Sequence, residues 1–321
     1  MSQVFPDALP APRPILIAGP TASGKSALAL ALAERLGGTV INADSMQVYR
    51  ELRLITARPS PEDEARAPHV LYGCISGAEA YSAGRYAVDA ARAIAEAQAA
   101  GRVPIVVGGT GLYFKALLEG LSPIPAADPG VRAYWRGEAA RRPALELHGL
   151  LRERDPVMAV RLMPTDSQRI VRALEVLDST GRSLAAWQRE PGCPVLREAE
   201  TRRLLVLPER SSHGALIEAR FDAMLASGAL DEVRGLLEAG LSGELPVMRA
   251  LGVAPLAAHL RGLLSLEEAA ATAKRDTRRY AKRQLTWLTR NMIAWKHIKA
   301  QDLGSLLRHD VSLILHGVDR A

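Results

Sequence analysis

The sequence predicts an α/β fold: a parallel sheet flanked by helices, with a helical insertion and a helical C-terminal part. Three observations predict it. Apolar runs of strand length alternate with helix-length runs up to Leu118. A glycine-rich turn, "GPTASGKS", joins the first such strand to the first helix. Beyond a Pro- and Gly-rich boundary, "GLSPIPAADPG", the runs turn helical and charged. One short apolar stretch, "RRLLVLP", then reads as a strand able to rejoin the sheet.

Each element has a local reason. Residues 1–13 are Pro-rich and read as a loose arm, without the basic start and apolar run of a signal peptide. Pro14 to Ala18 reads as a buried strand. Lys25 to Leu36 reads as a helix, with Leu28, Leu32 and Leu36 in one stripe and Gly37-Gly38 to stop it. Thr39 to Asn42 is a short β-branched strand that runs to Asp44. Ala80 to Ala100 is an Ala-rich helix closed by Gly101, Val103 to Val107 is a strand, and Gly111 to Leu118 is helical. This βαβ rhythm implies a parallel sheet with covering helices. The expected core comprises residues 14–124 and 196–321, and the helical insertion residues 125–195. Within the second core segment, Leu204 to Leu207 is the returning strand. Helices are expected at Gly214 to Ala226, Leu230 to Ala239 and Leu266 to about Trp295.

Composition sets the bounds. The chain has 321 residues, of which 48% are apolar, enough for a sizeable core. Its formal net charge of +6 suits a polyanionic partner, a weak signal on its own. Two cysteines, Cys74 and Cys193, build neither a disulfide framework nor a zinc site, and read as reduced thiols of a cytoplasmic protein. No apolar run reaches membrane-spanning length, so no membrane partner is expected.

Gly19, Pro20, Thr21, Ala22, Ser23, Gly24, Lys25 and Ser26 fit G-x-x-x-x-G-K-[ST], a P-loop. Main-chain amides of such a loop bind phosphate oxygens, and the following helix adds the positive end of its dipole. Lys25 supplies a full charge, and Ser26 is the expected Mg²⁺ ligand. The pattern predicts a di- or triphosphate bound with Mg²⁺ and leaves its identity open. Nucleotide hydrolases of this type place an Asp at the end of a second strand. Here "VPIVV" runs into Gly108-Gly109-Thr110-Gly111, with a hydroxyl where that carboxylate is expected. Asp44, at the carboxyl end of the second strand, falls on the same edge of a parallel sheet as the cradle. It reads as a general base or metal ligand, against the alternative of a helix cap for "SMQVYR".

The stretches "GPTASGKS", "INADSMQVYR", "TARP", "GGTGLY", "QRIVRALEV" and "KRQLTWL" occur in this order and spacing. Together they resemble the tRNA dimethylallyltransferases (isopentenyltransferases), over about residues 14–300. The resemblance implies that the cradle holds the diphosphate of dimethylallyl diphosphate. The dimethylallyl group would pass to the exocyclic amine of the adenosine on the 3′ side of the anticodon, releasing diphosphate. It implies Asp44 as general base, Thr110 as a hydroxyl near the reacting groups, and Arg220 as an arginine on the diphosphate. It also implies tRNA contacts by Asp44, Ser45, Met46, Gln47 and Thr110, by Gln168, Arg169, Ile170, Val171 and Arg172, and by Arg132. The partners implied are a tRNA anticodon stem-loop and dimethylallyl diphosphate, with a monomer as the expected state.

The sequence departs from that family's pattern in places. Arg53-Leu54-Ile55-Thr56 stands where "DIGT" is usual. His69-Val70 replaces a paired histidine, and Leu251-Gly252-Val253 replaces "IGY". No zinc-finger spacing follows, so the resemblance is to the bacterial type.

"TAKRDTRRYAKRQLTWLTRN" concentrates cations that repel one another unless a polyanion is near. Arg275, Arg278, Arg279, Lys282 and Arg283 share one side of a helix. Arg278, Arg279, Lys282 and Arg283 are the expected phosphate contacts. Trp187, Trp287 and Trp295 read as core residues. Two other functions fit parts of the sequence. A small-molecule or nucleotide kinase would use the same cradle, but "GGTGLY" and the basic helix fit it poorly. A GTPase-like RNA-binding switch lacks a guanine-reading N-K-x-D.

Overall fold

A computed structural model describes residues 11–304. Contacts divide these into two compact units, one holding residues up to Leu118 and from Leu196 onward, the other Glu119–Val195.

In the first unit a parallel sheet runs through β1 (Ile15–Ala18), β2 (Gly38–Asn42), β3 (His69–Val70), β4 (Val103–Gly108), β5 (Arg202–Leu207) and β6 (Lys296–Lys299). Its order is β3-β2-β4-β1-β5-β6. Ile15 pairs with Ile105 on one side and Arg202 on the other, so β1 is central and buried at every position. A continuous apolar run is what a parallel strand covered on both faces requires. α1 (Lys25–Leu36), α2 (Pro61–Arg66), α3 (Ala83–Ala99) and α4 (Gly111–Leu118) complete the first half of this unit. Leu28 and Leu32 of α1 pack with Ile15, Ile17 and Val40 in one core. Tyr86 of α3 stacks on Tyr113 of α4 with centroids 3.7 Å apart.

The second unit is helical: α5 (Pro129–Arg141), α6 (Ala144–Arg154), α7 (Pro156–Arg161), α8 (Ser167–Thr180) and α9 (Leu184–Trp187). Its core joins Trp135, Leu147, Leu151, Ile170 and Leu174. The Trp135 indole N–H donates to Asp178 at 2.8 Å, which gives the buried ring's polar atom its partner. The unit begins at Glu119 rather than at 125, because the chain enters and leaves it side by side, with Gly120 against Cys193.

The first unit resumes after β5 with α10 (Arg210–Ala226), α11 (Ala229–Glu238), α12 (Val253–Leu260) and α13 (Leu266–Asn291). α13 opens with a capping box between Ser265 and Glu268. It buries Ala269, Ala273, Thr277, Ala281, Gln284 and Leu288 on one stripe.

Three expectations are corrected. α13 stops at Asn291, and β6 follows it. A lysine at each end hides this strand in the sequence, and only Ile298 of it is buried. β5 begins at Arg202, two charged residues earlier than its apolar run. α10 begins at Arg210 rather than at Gly214. The arm expected at residues 1–13 lies mostly outside the described residues.

Candidate active site

Residues 19–24 form the loop between β1 and α1. Ala22 takes a positive φ of 58° and Gly24 one of 85°, which curls the chain before Lys25. The buried Ser23 Oγ has no hydrogen-bond partner in the protein, a polar atom left over for an anion. Lys25 Nζ reaches back to the Pro20 carbonyl at 3.2 Å. Burial pulls the Lys25 ammonium down to about 8, with Asp44 opposing the shift and Arg220 adding to it.

Thr21 is held at three atoms. Its N–H donates to Gln284 Oε1 at 2.9 Å, its carbonyl meets the His213 ring at 2.8 Å, and its hydroxyl accepts from Arg220. Burial also lowers the Arg220 guanidinium from its ordinary value, and the Asp44 charge pulls it back. Arg220 therefore lies within the fields of both the cradle and Asp44.

Asp44 follows β2 and is partly exposed. Its main-chain N–H donates to Asn42 Oδ1 at 2.8 Å, and its Oδ1 accepts the Met46 N–H at 2.9 Å. Residues 45–50 form turns, so Asp44 caps a turn and not the helix that was the alternative. Thr110, after β4, comes to the same place. Its hydroxyl accepts the Ser45 N–H at 3.0 Å, and its own N–H donates to the Ala43 carbonyl at 3.2 Å. Asp44 and Thr110 thus lie together at the carboxyl edge of the sheet, where the sequence reading put Asp44.

A cavity of about 350 Å³ opens beside these groups. Thr21, Asp44, Ser45 and Arg220 form its polar end. Ile55, Ile217, Phe221, Met224 and Leu251 supply apolar walls. Leu251 belongs to the Leu251-Gly252-Val253 stretch that replaces "IGY"; Val253, which stands in place of the tyrosine, is buried in the core.

The remaining expected contacts divide by burial. Gln47 turns its amide to the Thr56 and Ala57 carbonyls, each at 2.8 Å. Ile170 and Val171 face the core of the helical unit and leave Gln168, Arg169 and Arg172 outside. Their helix is amphipathic, and the Ile170 and Val171 side chains fill its inner face. Arg172 approaches the buried Glu175 at 3.6 Å, and Arg132 is exposed. On α13, Arg279, Lys282, Arg283, Thr286, Trp287 and Arg290 line an open groove. Arg278 instead pairs with Glu218 of α10. Trp295 packs edge-on to Phe114 and belongs to the core.

Sequence reasoning missed Gln284 and His213. The spacing of Thr277, Ala281, Gln284 and Leu288 does place Gln284 on the buried stripe of α13. Among the described residues no group of three or more His, Cys, Asp or Glu side chains is placed to hold a metal. Ser26, exposed at the start of α1, offers a single hydroxyl. Such a donor set fits Mg²⁺, which keeps several waters and takes substrate phosphates as ligands.

Two family models match the sequence: IPP transferase over residues 47–291 and isopentenyl transferase over residues 13–71. The chain belongs to the IPP transferase family. Among members of that family, it is 52% identical over 305 residues to a tRNA dimethylallyltransferase of Parvibaculum lavamentivorans, covering 95% of this chain and 96% of the relative. It is 57% identical over 273 residues to one from Methylocella silvestris, covering 85% and 90%. Its fold is similar to the crystal structure of the full-length tRNA isopentenylpyrophosphate transferase from Bacillus halodurans, with a TM-score of 0.65 and 31% identity over 95% of this chain and 97% of the other. A eukaryotic dimethylallyltransferase described as acting on tRNA is similar at a TM-score of 0.77 and 27% identity, over 94% of this chain and 77% of the other.

Proposed function

We propose that this IPP transferase family member moves a dimethylallyl group from dimethylallyl diphosphate to the exocyclic amine of the tRNA adenosine 3′-adjacent to the anticodon. The observation that carries this reading is the cavity, with a cationic and hydroxylic end at the cradle, a carboxylate at its rim and apolar walls beyond. An allylic diphosphate has this polarity. A kinase site would need room for a nucleoside and a second acceptor, and these aliphatic walls favour a short hydrocarbon.

The chemistry follows from the residues. The adenine nitrogen attacks the allylic carbon, the carbon–oxygen bond breaks, and the electron pair leaves with the diphosphate. The nitrogen's proton passes to Asp44. Lys25, Arg220 and the loop amides stabilise charge growing on the leaving oxygen. Ser26 would hold Mg²⁺, which when bound neutralises further charge on the diphosphate. Thr110 fixes the Ser45 amide and with it the turn that presents Asp44. Holding the two reactants in line supplies much of the acceleration, because the amine is a weak nucleophile.

The anticodon loop is single-stranded, and its adenosine must leave the stack to be reached. The α13 groove offers cations for its phosphates and Trp287 as an aromatic neighbour. Gln168, Arg169, Arg172 and Arg132 offer polar contacts on the helical unit. A monomer in the cytoplasm suits this work, and no described helix is long and apolar enough to cross a membrane. The test is incubation with radiolabelled dimethylallyl diphosphate and unmodified tRNA. Label in tRNA, with released diphosphate, is the expected result. Phosphotransfer from ATP to a small acceptor without label in tRNA would favour the kinase.

A further inference from the structure

Gln284 is the polar residue on the buried stripe of α13 whose side chain reaches two loops of the sheet edge. Its Oε1 accepts the Thr21 N–H at 2.9 Å, and its Nε2 donates to the Gly109 carbonyl at 3.0 Å. The side chain is only 6% exposed. One amide thus spans from the cradle to the residue before Thr110.

The loop after β4 is shaped to admit α13. A Cβ on Gly109 would lie 2.3 Å from Gln284 Nε2, and a Cβ on Gly111 would lie 2.0 Å from the Trp287 ring. Thr110 is therefore bracketed by two glycines, each in contact with a side chain one helical turn from the other. The outer face of the same turns carries Arg279, Lys282, Arg283 and Arg290.

We propose that Gln284 is a positioning residue of the transfer reaction, setting the Thr21 side of the cradle against the Thr110 and Asp44 side through its two hydrogen bonds. This rests on the proposed function for its chemical meaning and on the hydrogen bonds for its geometry. Leaving diphosphate and incoming amine approach from these two sides, so a small relaxation between them misaligns attack without removing any reacting group. Trp287 packs against Gly111, the residue after Thr110, from the next turn.

The test uses the full chain with Gln284→Met, which keeps length and shape but makes neither bond. Gln284→Asn is the second variant: it keeps a polar amide, but is one methylene too short to span both loops. Inorganic diphosphate binding, tRNA binding and single-turnover label transfer are measured on each, with thermal unfolding as a fold check. We expect diphosphate affinity to fall about tenfold and the transfer rate at saturating substrates to fall further, with tRNA affinity within about twofold of wild type. Gln284→Asn should stay folded at the assay temperature, with a lowered unfolding temperature from its unpaired amides, and still show both losses. Wild-type diphosphate affinity and transfer rate in Gln284→Asn would overturn the proposal, as would losses that scale only with tRNA affinity. If wild type transfers no label to tRNA, the reaction reading fails. A selective loss of diphosphate affinity in both variants would then still support the Gln284 span between the loops, and its absence would overturn it.

Discussion

Ser45 donates its main-chain N–H to the Thr110 hydroxyl at 3.0 Å, tying the residue after Asp44 to the end of β4. Asp44 therefore sits on a turn whose geometry two strands share. Asp44→Asn keeps the Met46 cap and the side-chain size but cannot take a proton. Turnover should fall on the order of 100-fold or more, with tRNA affinity retained. Single-turnover rates and filter-binding constants on the same variant check this. Equal loss in both would show that Asp44 mainly positions RNA.

Thr110→Val tests the other end of that bond. It keeps the β-branched shape and removes the acceptor for Ser45. The Ser45 N–H then loses its partner, worth about 1 kcal/mol, and Asp44 gains freedom at its turn. The expected outcome is a lower kcat at nearly unchanged KM for dimethylallyl diphosphate. A rise in KM alone would place the hydroxyl on the diphosphate.

Lys25 gives the cradle a pH dependence. In the free protein it releases its proton as pH rises through about 8, whereas a bound diphosphate holds the proton on. The bound form then carries more protons than the free form. Affinity for dimethylallyl diphosphate should therefore be full below about pH 8 and decline above it. Calorimetric titrations between about pH 7 and about pH 9.5 read the slope, which Lys25→Met should abolish along with most of the affinity. An unchanged affinity across that range in wild type would mean that Lys25 stays charged in the free site.

The basic helix is tested by salt. Arg279, Lys282 and Arg283 line the open groove, and Arg278 is already paired with Glu218. Changed singly to Gln, the first three should each flatten the dependence of tRNA affinity on salt by roughly one unit of slope. Arg278→Gln should change it less. Four equal slopes, all matching wild type, would move the RNA path away from α13.

A structural prediction concerns Glu232. Its carboxylate accepts three successive main-chain N–H groups, from Arg53, Leu54 and Ile55. Ile55 lines the cavity, so this contact shapes one of its walls. Glu232→Ala should destabilise the protein by about 2–3 kcal/mol through the orphaned amides. Denaturant titration measures the loss, and a change under about 0.5 kcal/mol would mean that water replaces the carboxylate without cost.

Much of this was legible in the sequence because phosphate chemistry and parallel sheets impose fixed patterns. The cradle spacing placed Lys25 after β1, and the carboxyl-edge rule placed Asp44 and Thr110 beside it. The missed features are those that depend on tertiary partners. Nothing local marks Glu232 as a ligand for a distant loop, or His213 as a neighbour of Thr21. Gln284 hides among arginines and lysines, where only its place on the Thr277 to Leu288 stripe betrays burial. β6 is polar at three of its four positions, because an edge strand with one buried residue needs no apolar run.

The position of β6 has a consequence for how this protein comes into being on the ribosome. The cradle is made early, from residues 19–26, yet the strand that covers the edge of β5 is Lys296–Lys299. The helix that grips Thr21 and Gly109 immediately precedes that strand. Both are synthesised long after residues 19–26, since Gln284 follows Thr21 by 263 residues. Until then β5 has an unpaired edge and the Thr21 amide lacks Gln284, so the nascent chain holds an unfinished phosphate loop. A chain released before Lys299 has residues 19–26 in sequence but not their tertiary supports, so the early loop depends on residues made far later.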